Sequence, residues 1–427
     1  MSWHERPRAI ALAFARTRVA AAAASLAVAV AIALFGLADA ATASAPPRLG
    51  VTAATLIEQS TGKQLYGIAP DSRRAIASTT KLMTALLTLE HARLSEVFTQ
   101  NNFYAAAADS QIGLVPGERM SVHDLLLALM LPSADDAAED LAFNIGHGSL
   151  GRFIGMMNAR ARQLGLHHTH YSTPSGLDTP GNYSSPNDLV KLASYLLTHN
   201  GFFRRVVATP RAVLVTGNHV RVVRNRNTLV GRVSWVNGVK TGHTSGAGYV
   251  LVGSGTEHGM TLISAVLGTA SESARDANTL ALLGYGFANF HIVSPVRHGQ
   301  LIATRPVKDQ PDKRAKLIAA SSVTDVVSRH SHVRLRLDLP RQLKGPLGRH
   351  AVVGHLVVLE DGRPIARVPL LLAHSLPAVS PITLAARFLT RPITLVLLVA
   401  LLAAFFGLVT AVRWRARDRA TVRPGAA

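Results

Sequence analysis

Between Val51 and Phe290, short Val/Gly-rich apolar runs alternate with stretches whose apolar residues return at helical spacing, a pattern that predicts an α/β or α+β domain. The stretch STTKLMTALLTLEHA from Ser78 and the stretch SVHDLLLALML from Ser121 carry the helical period. The second opens on a capping-box pattern, Ser121 and Asp124. VNGVKTGHT, GAGYVLVGSG and MTLISAVLG are instead separated by turn residues such as Glu257-His258-Gly259, which predicts consecutive antiparallel strands. A helical layer must then pack on a strand meander. No internal repeat is visible.

Beyond Phe290 the chain turns basic and strand-rich as far as Ala373. Val333, Leu335, Leu337 and Leu339 alternate with Arg334, Arg336 and Asp338, and Asp361-Gly362 joins two strand-like runs as a hairpin turn does. A Pro/Ser-containing stretch follows from Ser375 to Pro392. Ile393 to Val412 is then apolar without a charge, about the 20 residues needed to cross the hydrocarbon core. Arg413, Arg415, Arg417 and Arg419 come directly after, and the positive-inside rule puts them in the cytoplasm. At the other end Arg6, Arg8, Arg16 and Arg18 precede an uncharged run, Val19 to Leu37, and small-residue sites at Ala38-Asp39-Ala40 and Ala43-Ser44-Ala45. This reads as an export signal, cleaved or kept as an anchor. Both ends therefore place the body outside the cytoplasmic membrane.

At 427 residues with 48% hydrophobic content the chain has material for two domains with ordinary cores. A formal charge of +20 favours polyanionic neighbours, and an exported body turns that preference from nucleic acid towards lipid headgroups or cell wall. The absence of cysteine excludes disulfides, thiolate metal sites and a cysteine nucleophile. His167, His168 and His170 are close together, but there is no HExxH pattern, and neither a metal nor another cofactor is expected. A GxSxG elbow is missing too, so nothing supports an α/β-hydrolase.

Candidate chemistry begins with Ser78 and Lys81, three apart at a predicted helix start and so on one face. A lysine can deprotonate a serine if burial beside a second cation destabilises its ammonium. The same spacing also suits a helix-capping serine with a solvated lysine. Two further elements decide between these: Ser133-Ala134-Asp135 between predicted helices, and Lys240-Thr241-Gly242 on a predicted strand ahead of Gly246 and Gly248, where glycine allows a substrate backbone to come close. SxxK followed by an SDN-type loop and a KTG strand is the motif set of β-lactamases and penicillin-binding proteins.

On these motifs, and on IASTTKLMTAL, LMLPSADDAAEDLA, THYSTPSGLD, NYSSPNDLVKLA, RNRNTLV and VNGVKTGHTSGAGYVLVGS in this order, the chain resembles the low-molecular-mass penicillin-binding proteins of the D-alanyl-D-alanine carboxypeptidase type. The segment LKGPLGRHAVVGHLVVLEDGRPIARVPLLLA resembles that family's C-terminal β domain. The resemblance implies an α+β, β-lactamase-like transpeptidase domain at 49–290 and a small all-β domain at 291–374; the residue pattern itself places a signal or anchor at 1–45, a linker at 375–392, a transmembrane helix at 393–412 and a basic tail at 413–427. The resemblance makes Ser78 the acylated nucleophile, Lys81 its base and Ser133 the proton relay. Lys240 and Thr241 would hold the substrate carboxylate, the backbone amides of Ser78 and of His243, just past Gly242, would form the oxyanion hole, and Arg275 would reach towards the terminal carboxylate.

The implied partners are peptidoglycan stem peptides, β-lactam antibiotics and the cytoplasmic membrane. Asp135 departs from the family's usual asparagine, and an ionised carboxylate cannot donate as an amide does; beside Lys81 it would raise the lysine's pKa, with Lys240 pulling the other way. Asp136 reads as a first-turn residue favoured by the helix dipole. A D,D-endopeptidase with the same site and a catalytically weak penicillin-binding scaffold are the alternatives. Rapid penicillin hydrolysis is not expected, because no deacylating base is matched.

Overall fold

The computed structural model describes residues 45–100 and 110–421. The export signal or anchor expected at 1–45 falls outside them except for Ala45, as does the end of the basic tail. The chain forms two compact units divided between Asn289 and Phe290.

The first unit opens with β1 (Ala53–Glu58) and β2 (Gln64–Ile68). β1 is apolar enough to be buried along its whole length, and it takes an interior place in the sheet. A 3₁₀ turn (Ala77–Thr80) leads into α1 (Lys81–His91). The helix predicted from Ser78 therefore starts one turn later, because Ala77 is left-handed at φ 46° and no side chain caps the turn. In a 3₁₀ turn residues three apart eclipse, which brings Ser78 and Lys81 closer than an α-helix would.

A small hairpin of β3 (Val97–Thr99) and β4 (Arg119–Ser121) precedes α2 (Val122–Met130) and α3 (Asp135–Ile145). Half of the predicted capping box forms: Asp124 N donates to Ser121 Oγ at 3.2 Å. The Asp124 carboxylate does not return to Ser121. It accepts from Val215 N, Thr216 N and Thr216 Oγ1 at 2.7–2.8 Å and so ties down a later loop. Next come α4 (Leu150–Gln163), α5 (Pro186–His199), α6 (Gly201–Val207) and a second hairpin of β5 (Arg211–Leu214) and β6 (Arg221–Arg224).

The three predicted meander strands are β7 (Val236–Thr244), β8 (Gly248–Glu257) and β9 (Met260–Thr269), followed by α7 (Glu272–Asn289). The antiparallel sheet runs β2-β1-β9-β8-β7, so β7, which carries Lys240, is an edge strand. Leu82, Leu86 and Leu87 of α1, Leu125 and Leu129 of α2 and Leu141 of α3 lie in one core with the sheet. Each buried leucine contributes about 1.5–3 kcal/mol, which fixes the helical layer against the strands.

In the second unit β10 (Phe290–Val296) pairs with β13 (Val323–Ser328). An antiparallel sheet of β11 (Leu301–Val307), β12 (Gln310–Ala319), β14 (Val333–Asp338), β15 (Val352–Glu360) and β16 (Arg363–Leu372) has the order β11-β12-β16-β15-β14. The Asp361-Gly362 turn has both residues at positive φ, 47° and 82°, as a two-residue hairpin with the right twist requires. The alternation in β14 does not bury its leucines: Leu335 is 50% and Leu337 39% exposed, because the strand lies at the sheet edge. Within the stretch read as a linker, Pro381–Leu389 forms α8 with none of its residues buried. It is followed by α9 (Pro392–Thr421), whose segment Pro392–Arg417 is long and apolar enough to cross a membrane and has no part buried.

Candidate active site

Ser78, Ser133, Thr241, Gly242, His243 and Arg275 line one cleft of about 420 Å³ in the first unit. Lys81, Asp135 and Lys240 are buried and bonded to this group. All nine residues singled out from the sequence therefore meet at one place, although four separate stretches of chain supply them.

The half-exposed Ser78 sits on the 3₁₀ turn, and Lys81 Nζ donates to its Oγ at 3.0 Å. The same ammonium donates to Asp135 Oδ1 at 2.5 Å and to the Ser175 carbonyl at 2.6 Å. Ser133 follows the end of α2 in the left-handed region at φ 67°, a conformation that costs a side-chain-bearing residue about 1–3 kcal/mol and marks functional sites. It places Ser133 Oγ 2.8 Å from Lys240 Nζ, which also donates to the Thr241 carbonyl.

Gly242 is required by the turn rather than by a substrate. A β-carbon there would lie 3.0–3.1 Å from Ala77 Cβ, Ser78 N and Ile76 O, so β7 and the Ser78 turn meet backbone to backbone. The other two glycines, Gly246 and Gly248, lie at the β7–β8 turn. Gly246 N donates to Asp178 Oδ2 at 2.9 Å, and Gly248 has φ 64°. The exposed His243 ring stacks on Tyr249, with centroids 4.0 Å apart.

Arg275 is buried on α7, its Nε and Nη2 held by Asp276 at 2.8–2.9 Å and its Nη2 also by Glu272. Thr228 Oγ1 donates to the far oxygen of Asp276. Arg226, Thr228, Tyr249, Glu272 and Ser110 share the cleft wall and were not identified from sequence. RNRNTLV contains Arg226 and Thr228, but nothing in its spacing tells a cleft arginine from a surface one.

The electrostatics of the two lysines decide what the site can do. Burial lowers the pKa of Lys81; the charge of Asp135 opposes this, and Arg226 reinforces it. Burial, with Lys81 and Arg226 adding to it, pushes Lys240 well below the ordinary lysine value. For Lys81 burial outweighs the opposing pull of the Asp135 carboxylate. Asp136 stands in the first turn of α3, as the dipole reading expects, and its carboxylate also accepts from the Ile112, Leu114 and Ala137 amides, while burial raises its pKa. A buried lysine 3.0 Å from a serine hydroxyl can take its proton. Among the described residues no group of three or more His, Cys, Asp or Glu could hold a metal ion, His167, His168 and His170 included.

Residues 40–271 match the sequence profile of the D-alanyl-D-alanine carboxypeptidase family. The chain belongs to that family. It is 33% identical over 351 residues to D-alanyl-D-alanine carboxypeptidase DacA of Escherichia coli K12, spanning 78% of this chain and 85% of the relative. With the D-alanyl-D-alanine carboxypeptidase of Streptomyces sp. K15 it shares 38% identity over 269 residues, 59% of this chain and 92% of the relative. The crystal structure of penicillin binding protein 5 from Haemophilus influenzae superposes with a TM-score of 0.65 at 29% identity, over 78% of this chain and 99% of that one. Membership of the D-alanyl-D-alanine carboxypeptidase family bears out the sequence resemblance and the α+β penicillin-binding fold.

The Asp135–Lys81 contact gives one expected result. Asp135 raises the lysine's proton affinity, so Asp135→Asn lowers it, and free base becomes available at lower pH. Acylation by a labelled penicillin should reach its plateau at lower pH in Asp135→Asn and run several-fold faster at pH 7. Superimposable pH profiles would show that Asp135 does not act on the base.

Proposed function

We propose that Ser78, Lys81, Ser133, Asp135, Lys240, Thr241, Gly242, His243 and Arg275 carry out the reaction of this enzyme. The chain is a serine-type D-alanyl-D-alanine carboxypeptidase, a cell-wall hydrolase that acts on peptidoglycan and binds β-lactams. The observation that carries the assignment is the 3.0 Å contact between the buried Lys81 Nζ and Ser78 Oγ at the cleft.

Ser78 Oγ attacks the carbonyl before the terminal D-alanine while neutral Lys81 accepts its proton. The amides of Ser78 and His243 stabilise the developing oxyanion, worth about 3 kcal/mol per donor in such sites. Ser133, bonded to Lys240, passes a proton to the leaving amine. Lys240, Thr241 and Arg275 draw the terminal carboxylate, and the outer edge of β7 offers an extended peptide a strand to lie against. Water then hydrolyses the ester on Ser78. Endopeptidase cleavage would use the same atoms, but the family's relatives carry the carboxypeptidase name. The full chain, given a pentapeptide precursor and a cross-linked dimer, should release free D-alanine from the pentapeptide; cleavage of the dimer with the pentapeptide intact would refute the preference.

The C-terminal helix supports a membrane-anchored enzyme, with the catalytic unit outside and Arg413, Arg415, Arg417 and Arg419 inside. A tag placed after Ala427 should resist external protease in intact cells that digests the body. Equal digestion of both would contradict this topology.

A further inference from the structure

We propose that Glu139 is a positioning residue for the reaction, a second buried carboxylate that exchanges one proton with Lys81 and so sets how much of that lysine is free base. The proposal rests on Lys81 being the base of Ser78.

Glu139 lies one turn after Asp135 on α3, on the same helix face. It is 7% exposed, and the reaction described above makes no use of it. Ser175 links it to the lysine: the Ser175 hydroxyl donates to Glu139 Oε1 at 3.3 Å, and the Ser175 carbonyl accepts from Lys81 Nζ at 2.6 Å. Ser175 is itself 1% exposed, so water does not screen the cluster at this point.

The other charged groups around Glu139 have partners or lie at the surface. On its own helix, Asp136 accepts backbone amides and Asp140 accepts from Asn144. On α2, Asp124 holds Thr216, and His123 is exposed. On α4, Arg152 donates to the Gly146 carbonyl, Arg160 pairs with Glu90, and Arg162 is exposed. β3 has no ionisable residue. The charges that act on Glu139 are those of Lys81, which favours its anion, and Asp135, which opposes it. Arg226 acts on Lys81, and Lys240 is coupled to that lysine. Burial pushes Glu139 up to about 7 against the Ser175 hydrogen bond and the lysine's charge.

A carboxylate and an amine that share a site titrate as a pair. When the pair holds one proton, that proton is on Lys81 with Glu139 anionic, or on Glu139 with Lys81 neutral. Both forms have the same net charge, so their ratio does not change with pH. A fixed share of the lysine is therefore free base as soon as the first proton has left, and the remainder becomes free only when the second leaves. Ser78 can then lose its proton to a neutral Lys81 while Glu139 keeps the cluster's own proton.

The test is the pH profile of acylation by a fluorescent penicillin, measured on the detergent-solubilised full chain. The parent should rise in two steps, the lower near pH 7. Glu139→Gln should show a single rise, with its midpoint between the parent's two. A parent profile with one step, or two steps that Glu139→Gln leaves in place, overturns the proposal. If Glu139→Gln does not fold by circular dichroism, Ser175→Ala serves instead. It strips the bond that favours the Glu139 anion and should move the lower step to higher pH, and an unmoved step overturns the proposal. Failure of the base assignment would show separately, as a Lys81→Ala enzyme that acylates at the parent's rate.

Discussion

Lys81→Ala is expected to slow acylation of Ser78 by about 10²–10⁴-fold at pH 7, the range that a positioned general base supplies. The hydroxyl must lose its proton as the carbonyl is attacked, and Lys81 Nζ is 3.0 Å from it, while Lys240 Nζ bonds to Ser133. Truncation has a second consequence that must be separated from the first. Asp135 is 4% exposed, and without the lysine it keeps the Ser110 amide but has lost its cation. Breaking a buried pair from one side typically costs about 3–5 kcal/mol. The double variant Lys81→Ala/Asp135→Asn removes the stranded charge, so its thermal midpoint should recover much of what the single variant loses while the acylation rate stays low. A rate that recovers together with stability would mean that Lys81 serves the fold and not the chemistry.

The parts of this site that could be read in the sequence are those fixed by short-range spacing. Ser78 and Lys81 are three residues apart however the chain folds, and the strands from Val236 to Thr269 are bounded by turn residues, although the register shifts at Val236/Gly238 and Tyr249/Leu251 are not legible in the sequence. The left-handed backbone at Ala77 and Ser133 was not readable, because neither residue type favours it. For Ala77, the close packing of Gly242 on β7 against the Ser78 turn becomes visible only in the structure.

Charges from distant segments escaped the sequence for the same reason. Asp135 stood out because it departs from a familiar triplet, yet whether it starves the lysine depends on burial, which a sequence does not display. Arg226, Ser175 and Glu139 lie in segments that resemble the family, but no spacing within those segments marks them as neighbours of Lys81. They act on Lys81 only because the loops after α4 and β6 and the face of α3 converge on it. In the second unit the alternation of β14 predicts its strand, but its place at the sheet edge, which leaves Leu335 and Leu337 exposed, depends on the order of pairing.

The central claim is that one serine carries the chemistry, and a covalent adduct tests it most directly. All three motif elements converge on Ser78: Lys81 bonds to its hydroxyl, Gly242 backs its amide, and Ser133 lines the same cleft. A penicillin opens on the nucleophile as a substrate carbonyl would, and the ester it leaves persists long enough to be located because no fast deacylating base is expected. Incubation of the full chain with labelled penicillin, followed by peptide mass spectrometry, should find one adduct, on Ser78. Ser78→Ala, which removes only a hydroxyl at a half-exposed position, should abolish labelling while unfolding at the parent's temperature. An adduct on another residue, or labelling that survives in folded Ser78→Ala, would contradict the assignment.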